Sequence, residues 1–171
     1  MIGFLKNIFG GGEDKSPTRV PTFESLDIGD VVLWYEESYI VIQKITYHQS
    51  GFFWYDYRMQ GDTGKCWLAV ENDDELVLQI CEAVTMNFEG DPPATLEHEG
   101  ATYKKNNTGK ADAVLKKEQQ DTPTRAKIDF WNYEGPDGQT LEVIKWAEGD
   151  FEVSLCKEIS ETTFDLLGGA K

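Results

Sequence analysis

Phe53-Trp54-Tyr55-Asp56-Tyr57 and Asp129-Phe130-Trp131-Asn132-Tyr133 are two versions of one aromatic stretch, and they decide the fold of this chain. A second pair, Leu78–Cys81 and Val153–Cys156, follows in the same order and needs only one deleted residue to stay in register. A repeat on this scale indicates two copies of one structural unit. The chain is therefore expected to be internally duplicated.

Around this repeat, the first copy contains five short runs rich in β-branched and aromatic residues. Turn residues separate the runs, and this pattern predicts strands. The predicted strands are Val31–Glu36, Tyr39–Tyr47, Phe52–Gln60, Lys65–Glu71 and Glu75–Cys81.

The second copy repeats this order. Its predicted strands are Ala101–Lys105, Lys110–Gln119, Arg125–Tyr133, Gln139–Ala147 and Phe151–Lys157. Asn106–Gly109 is expected to be the turn between the first two. The polar run 111–120 is also compatible with a helix, but a strand is favoured because the equivalent Tyr39–Tyr47 has a clear strand composition.

Two further segments flank the second copy. Val84–Glu89 is predicted to be one more strand, ahead of a boundary turn at Gly90–Pro93. Ser160 is expected to cap a short helix that runs through Leu167 and ends at Gly168-Gly169.

The expected fold class is all-β. Two five-stranded antiparallel barrel-like units, SH3-like or split-barrel, pack as a pseudo-dimer, with a short C-terminal helix. The expected division is an apolar tail and linker (1–21), a first β repeat (22–90), a second β repeat (91–159) and a C-terminal tail (160–171).

The 171 residues include 31 Asp and Glu against 16 Lys and Arg, which gives a formal net charge of -15 at pH 7. Such a surface repels the phosphates of nucleic acids and of anionic lipids, so no nucleic-acid partner is expected. The acidity either keeps the protein soluble or attracts a cationic partner.

Three cysteines, Cys66, Cys81 and Cys156, form no C-x-x-C pair. An odd number without such a pair fits a reducing cytosol better than a disulfide framework. Cys81 and Cys156 hold equivalent positions in the repeat. They either approach each other across a pseudo-twofold axis or are two small, semi-buried side chains.

The first nine residues, MIGFLKNIF, form an apolar unit that Gly10–Gly12 separate from the body. It either contacts a membrane or partner, folds back, or is disordered, and its candidate contact residues are Phe4, Leu5, Ile8 and Phe9. No stretch is long enough to span a bilayer and no signal peptide is evident. The expected location is the cytoplasm, with peripheral contact at the inner membrane through this tail as a further possibility.

No catalytic motif, metal motif or cofactor motif is present in the sequence. His48 and His98 are interpreted as exposed histidines, His48 in a turn and His98 among acidic residues. We therefore expect a protein that is not an enzyme and that needs no cofactor or metal. A deep pocket with a buried histidine or an inward-pointing pair of acids would overturn this expectation.

Aromatic residues are the remaining signal, and the first copy is crowded with them. Along a strand, alternate residues share a face, so Trp54 and Asp56 lie opposite Tyr55 and Tyr57. Only one face can line the copy's own core. The other meets the second copy, a partner or a ligand. The candidate ligand or partner surface is Trp34, Trp54, Asp56, Trp67 and Trp131.

The first copy resembles the bacterial domain of unknown function 4178 family. The likeness rests on LDIGDVV (26–32), YIVI (39–42), WYDYRM (54–59) and Trp67-Leu68. It is strong over Leu26–Cys81 and weaker over Leu96–Ile159, and Asp56 stands where the family pattern has Glu. The resemblance transfers no catalytic residue. It implies an accessory role, because members of the family tend to accompany polyamine-synthesis and membrane-protein genes.

These observations lead to two functional hypotheses. The first is a binding or scaffold protein, an accessory factor with a protein partner in a bacterial multi-protein or membrane-associated system. The alternative is a small-cation binder that holds a polyamine in an acidic, aromatic-lined groove between the repeats.

Overall fold

The structure is a computed structural model, and it describes residues 19–169. The predicted tail contacts Phe4, Leu5, Ile8 and Phe9 lie outside the described residues. Within residues 19–169, no helix has the length and apolar character needed to cross a membrane.

Residues 19–169 form eleven strands and three short 3₁₀ turns, so the expected all-β class is confirmed. Every pair of hydrogen-bonded strands is antiparallel. The strands are β1 (Val31–Trp34), β2 (Glu37–Gln49), β3 (Phe52–Gln60), β4 (Lys65–Asn72), β5 (Leu76–Val84), β6 (Thr95–His98), β7 (Ala101–Lys117), β8 (Thr124–Glu134), β9 (Gln139–Trp146), β10 (Phe151–Glu158) and β11 (Phe164–Leu167).

The strands form one sheet in the order β11-β1-β2-β3-β4-β5-β10-β9-β8-β7-β6. β2 and β7 lie near opposite ends of this order, and they pair with each other as well, through Gln43–His48 of β2 and Asp112–Lys117 of β7. Eight strands, β2–β5 and β7–β10, therefore form a closed hydrogen-bonded ring. Strands β1, β11 and β6 extend beyond it.

Along the chain, the first ten strands form two successive sets of five, β1–β5 and β6–β10, and each set contributes four strands to the ring. In each set, neighbours in sequence pair with each other. Neither set closes on itself, because β1 pairs with β2 and β11 while β5 pairs with β4 and β10. Two seams, β2–β7 and β5–β10, join the sets, so the ring is a property of both halves together.

Cys81 and Cys156 face each other across the β5–β10 seam and form a disulfide. This corrects the interpretation of the cysteines as reduced. The two cysteines lie side by side because β5 and β10 are neighbours in the ring. Cys66 remains free.

The predicted turn at Asn106–Gly109 is wrong, because Ala101–Lys117 is one continuous strand. A bulge between Lys105 and Asn107 accommodates the turn-like residues, and the Asn106 amide donates to Glu134 at 2.8 Å. The real turn is at Glu99-Gly100, both with positive φ, after the unpredicted strand β6. The run 111–120 is a strand as far as Lys117.

The predicted C-terminal helix is also wrong. Ser160 does cap a turn, but it is the 3₁₀ turn Glu161–Thr163, and Phe164–Leu167 then pairs with β1 as β11. Pairing with the free edge of β1 buries Phe164 between Phe23 and Trp34, which a helix in this position would not do. The predicted strand Val84–Glu89 is wrong beyond Val84, where the pairing with β10 ends.

Three apolar clusters hold the sheet together. The first lies in the first half and includes Val41, Tyr57 and Met59. The third lies in the second half and includes Tyr103, Trp131 and Tyr133. The central cluster draws on both halves and lies inside the ring. Its members are Ile45, Tyr47, Ala111, Ala113, Ile128, Phe130 and Ile144, with Trp54, Trp67, Leu115 and Trp146 packed against them.

Candidate functional site

The interior of the ring contains two cavities that share two acidic residues. The first cavity has a volume of about 440 Å³ and the second about 300 Å³. Asp56 and Glu142 line both of them. The two carboxyl groups therefore stand at the boundary between the cavities.

Strand alternation places these carboxyl groups in the interior. On β3, Trp54 and Asp56 line the first cavity and Asp56 and Arg58 line the second. On β9, Glu142 alternates with the buried Leu141 and Val143, which face the third cluster. Each half of the chain thus contributes one carboxyl group to the boundary.

The Asp56 carboxyl group has one donor in the part of the chain that the structure describes, the Tyr47 hydroxyl, at 2.9 Å. Burial raises the pKa of Asp56 to about 7, an effect that the Tyr47 hydrogen bond opposes and the charge of Glu152 reinforces. Burial also raises the pKa of Tyr47 well above its ordinary value, so Tyr47 keeps its proton and acts as the donor.

Glu142 has no hydrogen-bond donor among residues 19–169. Burial raises the pKa of its carboxyl group to about 8, and repulsion by Asp56 and Glu71 adds to the effect. A carboxyl group with no partner in a protein interior is costly to ionise. Near neutral pH the carboxyl pair is therefore stabilised either by taking up a proton or by a cation placed beside it.

The first cavity is acidic and aromatic. Trp54 stacks on Tyr47 with ring centroids 5.2 Å apart, and Phe130 meets Trp54 edge-on at 5.6 Å. Glu71 also lines it, and burial raises the pKa of this carboxyl group. None of its lining residues is Lys, Arg or His among those the structure describes.

The first cavity also contains an unsatisfied acceptor and a route to solvent. The amide oxygen Oδ1 of Asn132 is buried and has no donor within the described chain. Asn106, Asn107 and Glu134 line the same cavity and are exposed, so they mark its opening. A ligand that carries N–H groups would find acceptors along the whole of this cavity.

The second cavity differs in containing a cationic side chain. The Arg58 guanidinium lies over the Trp67 ring at 5.8 Å from its centroid. Its Nε is buried and has no acceptor in the described part of the chain. The exposed Ala83 and Glu152 mark the opening of this cavity.

A third cavity, of about 560 Å³, lies outside this arrangement and contains neither Asp56 nor Glu142. Two of the three lysines that line it have carboxylate partners: Lys110 pairs with Asp129 and Lys127 with Asp112, each at 2.7 Å. The third, Lys145, lies over the Phe151 ring at 5.5 Å from its centroid.

The structure brings together three of the five residues predicted as a ligand or partner surface, namely Trp54, Asp56 and Trp67. Trp34 lies in the first half, stacked on Phe164 at 5.9 Å. Trp131 lies in the third cluster, beside Phe151.

Sequence reasoning missed Glu142 and Arg58. The signal for Glu142 was its position inside an otherwise apolar run, Leu141–Ile144. Acidic residues are rarely found in buried strands without a partner, so one at this position suggests a functional role. Arg58 shares a face with Trp54 and Asp56 by simple alternation, so it could have been included with them.

The two histidines lie away from the carboxyl pair. His48 is the penultimate residue of β2 rather than part of a turn, and its Nε2 accepts from the Gly51 amide at 3.1 Å. His98 lies at the end of β6, beside Glu99. Within residues 19–169, no three His, Cys, Asp or Glu side chains are grouped as metal ligands.

The inward-pointing acid pair removes one argument for a protein that is not an enzyme. A deep pocket with such a pair was the outcome named as able to overturn that expectation, and Asp56 and Glu142 line both interior cavities. Whether the protein is an enzyme stays a prediction for experiment.

The fold and the cavities together define an all-β protein built as a strand ring with an acidic interior. The chain belongs to the family described as Domain of unknown function (DUF4178), whose pattern matches residues 27–161. The match spans both halves of the ring and includes both interior carboxyl groups. Comparisons with curated proteins and with solved structures gave no match.

Proposed function

We propose that the protein binds a small organic cation, such as a polyamine, inside the ring without transforming it. The observation that supports this is the shared boundary: Asp56 and Glu142 face both cavities, and Glu142 has no donor in the described chain. An ammonium group between the two carboxyl groups would supply the missing donors and the opposite charge.

The aromatic lining supports the same chemistry. Trp54 and Phe130 flank the carboxyl pair in the first cavity, and an ammonium or its methylene neighbours can lie against such ring faces. Burial of the carboxyl groups in a low-dielectric interior also strengthens their attraction to a cation relative to an exposed acidic surface. The interior acids would therefore select a cation more strongly than the net charge of the protein does.

The test is titration calorimetry with spermidine in physiological salt at pH 8. We expect a micromolar site whose affinity changes little with ionic strength, because the charges that form it are buried. Glu142→Gln should weaken binding at least tenfold. Glu148→Gln, which removes an exposed carboxylate from the β9–β10 turn, is the matched control and should change little. Millimolar binding that salt abolishes would contradict the proposal.

A second candidate function is general acid–base catalysis on a molecule bound in these cavities. The observation that favours it is the position of Asp56 and Glu142 at the boundary of both cavities. Burial raises the pKa of both carboxyl groups toward the neutral range that suits proton transfer. Chromatography of the ligand after prolonged incubation separates the two functions. Unchanged ligand supports binding, and its conversion, lost in Glu142→Gln, supports catalysis.

The proposal extends to the setting of the protein as an accessory factor with a protein partner in the cytoplasm, at the inner membrane if the N-terminal tail attaches there. Membrane fractionation of the full chain and of a chain lacking residues 1–9 tests the tail. The Cys81–Cys156 disulfide bears on the compartment, because such bonds persist in oxidising surroundings. Thiol labelling in intact cells tests it: a fully oxidised pair would contradict a cytoplasmic location.

We infer also that the two halves descend from one duplicated unit. The support is positional: Tyr57 and Tyr133 are both fully buried, each in the cluster of its own half. Cys81 and Cys156 pair directly with each other. Under this inference Trp54 corresponds to Phe130, and Asp56 to Asn132.

A further inference from the structure

We infer that the ligand of the ring interior is a zwitterion, with a cationic group held by Asp56 and Glu142 and an anionic group held by Arg58. This inference rests on the proposed function, since it names the class of organic cation that the same site would take. It follows from the difference between the two cavities.

The first cavity favours positive charge, because its charged lining is entirely acidic. Asp56 and Glu142 lie inside it, the exposed Glu71 and Glu134 lie at its opening, and its remaining polar residues are neutral amides and hydroxyls. The second cavity contains Arg58, the one Lys, Arg or His side chain that lines either interior cavity in the described chain. A ligand with positive charge at both ends would meet a guanidinium at one of them.

Arg58 is held in place and is free to bind. The guanidinium lies over the Trp67 ring at 5.8 Å from its centroid, and no carboxylate within residues 19–169 lies within ion-pair distance of it. Its buried Nε lacks an acceptor, which is costly for a charged group. A planar carboxylate matches the fork of a guanidinium, which can donate two parallel hydrogen bonds.

The order of the residues along β3 sets the polarity of the ligand. Trp54, Asp56 and Arg58 share one face, and neighbours on one face of a strand are about 7 Å apart. The cationic group would lie at Asp56, beside Trp54, and the anionic group one step further along the strand. A linear ω-amino acid with a few methylenes between its charged groups has this form.

Calorimetry with three molecules of matched length tests the inference at pH 8: 5-aminopentanoate, 1,5-diaminopentane and glutarate. For the unmodified protein we expect 5-aminopentanoate to bind at least tenfold more tightly than the diamine, and glutarate not to bind. Arg58→Gln should weaken 5-aminopentanoate at least tenfold and leave the diamine unchanged or tighter. Arg58→Lys keeps the positive charge but cannot donate two parallel hydrogen bonds. It should therefore bind 5-aminopentanoate more tightly than Arg58→Gln does and less tightly than the unmodified protein.

Lys145→Gln is the matched control, because Lys145 also lies over an aromatic ring, that of Phe151 at 5.5 Å, but lines neither interior cavity. It removes the same charge and should leave both affinities unchanged. Thermal melts of each variant establish that it is folded before its affinity is compared.

The outcomes separate this inference from the proposed function. The zwitterion inference fails if the diamine binds more tightly than 5-aminopentanoate, or if Arg58→Gln and Lys145→Gln have equal effects. Either outcome would still be consistent with the proposed cation site. If neither spermidine, the diamine nor 5-aminopentanoate binds, the proposed function fails and the inference fails with it.

Discussion

Asp30 ties the two ends of the described chain together. Its carboxylate accepts from the backbone N–H of Asp27 at 2.7 Å and of Gly169 at 2.9 Å, and it forms an ion pair with Arg19. Gly29, the preceding residue, has a φ of 89°, a left-handed conformation that residues with a side chain rarely adopt. The Leu-x-x-Gly-Asp pattern that carries the family resemblance therefore has a structural role, to anchor the entry into β1.

Replacing Asp30 with Ala should lower the free energy of unfolding by about 2 kcal/mol, because it removes an ion pair and leaves two partly buried N–H groups without their acceptor. Urea unfolding measures the loss. Asp165→Ala, in the exposed face of β11, is the matched control and should cost much less. Equal losses for the two variants would contradict the anchoring role.

Glu142 should make the unliganded protein less stable as the pH rises. Its pKa is about 8 in the folded state against 4.5 ordinarily, so protonation favours folding. The stabilisation is complete below pH 4.5 and is lost as the pH passes through 8. Between pH 6 and pH 9 the loss is about 3 kcal/mol, because nearly all of it falls over the two units below pH 8, at roughly 1.4 kcal/mol per unit.

Urea unfolding at pH 6 and pH 9 measures this slope. Glu142→Gln should be more stable than the unmodified protein at pH 9 and should show a flatter dependence on pH, whereas Glu148→Gln should keep the original slope. A more stable variant that no longer binds spermidine would identify Glu142 as a residue kept for the ligand rather than for the fold.

At the scale of the elements, one bulge in each long strand lets that strand serve two cores. In β2 the bulge lies between Val41 and Gln43, with Val41 in the first cluster and Ile45 in the central one. In β7 it lies between Lys105 and Asn107, with Tyr103 in the third cluster. An extra residue shifts the alternation of faces, so odd-numbered residues on either side of it point to different cores.

Deleting Asn106 should therefore unfold the protein or lower its stability by about 3 kcal/mol or more, because one part of β7 would turn its buried residues to the wrong face. Deleting Asp121, in the exposed loop between β7 and β8, changes the length equally and should be tolerated. Thermal melting of the two deletion variants compares them. An Asn106 deletion as stable as the Asp121 deletion would show that the bulge does not set the register.

At the scale of the whole molecule, closure of the ring creates the site. The interior is wide enough for two cavities because eight strands enclose it, and both seams bring together residues distant in sequence. The disulfide across the β5–β10 seam joins residues separated by 75 positions. It therefore restricts the unfolded chain over a large part of its length.

Reduction of this disulfide should lower the free energy of unfolding by about 2–4 kcal/mol, the usual range for a bond that closes a long loop. Urea unfolding with and without reductant measures the change. A Cys81→Ala, Cys156→Ala double variant should have the same free energy of unfolding as the reduced protein, and reductant should not change it. If reduction leaves the unmodified protein unchanged, the disulfide does not hold the seam.

Local pattern predicted a strand best where aromatic side chains lie on both of its faces. In β3, the run Phe52–Gln60 was predicted to the residue, because it is aromatic on both faces and turn residues flank it. Prediction failed at Asn106–Gly109 and at Phe164–Leu167, where composition suggested a turn and a helix. In both places a neighbouring strand distant in sequence supplies the hydrogen bonds, and local propensity does not include that contribution.

The amino-acid pattern alone was sufficient for the all-β class, the family and the aromatic face that carries Trp54 and Asp56. Only the tertiary structure placed Glu142 beside Asp56 and Arg58 in the second cavity. The physical reason is that alternation along a strand fixes which face a side chain occupies, whereas closure of the ring fixes what that face meets. Closure depends on the β2–β7 and β5–β10 seams, which join residues far apart in the chain.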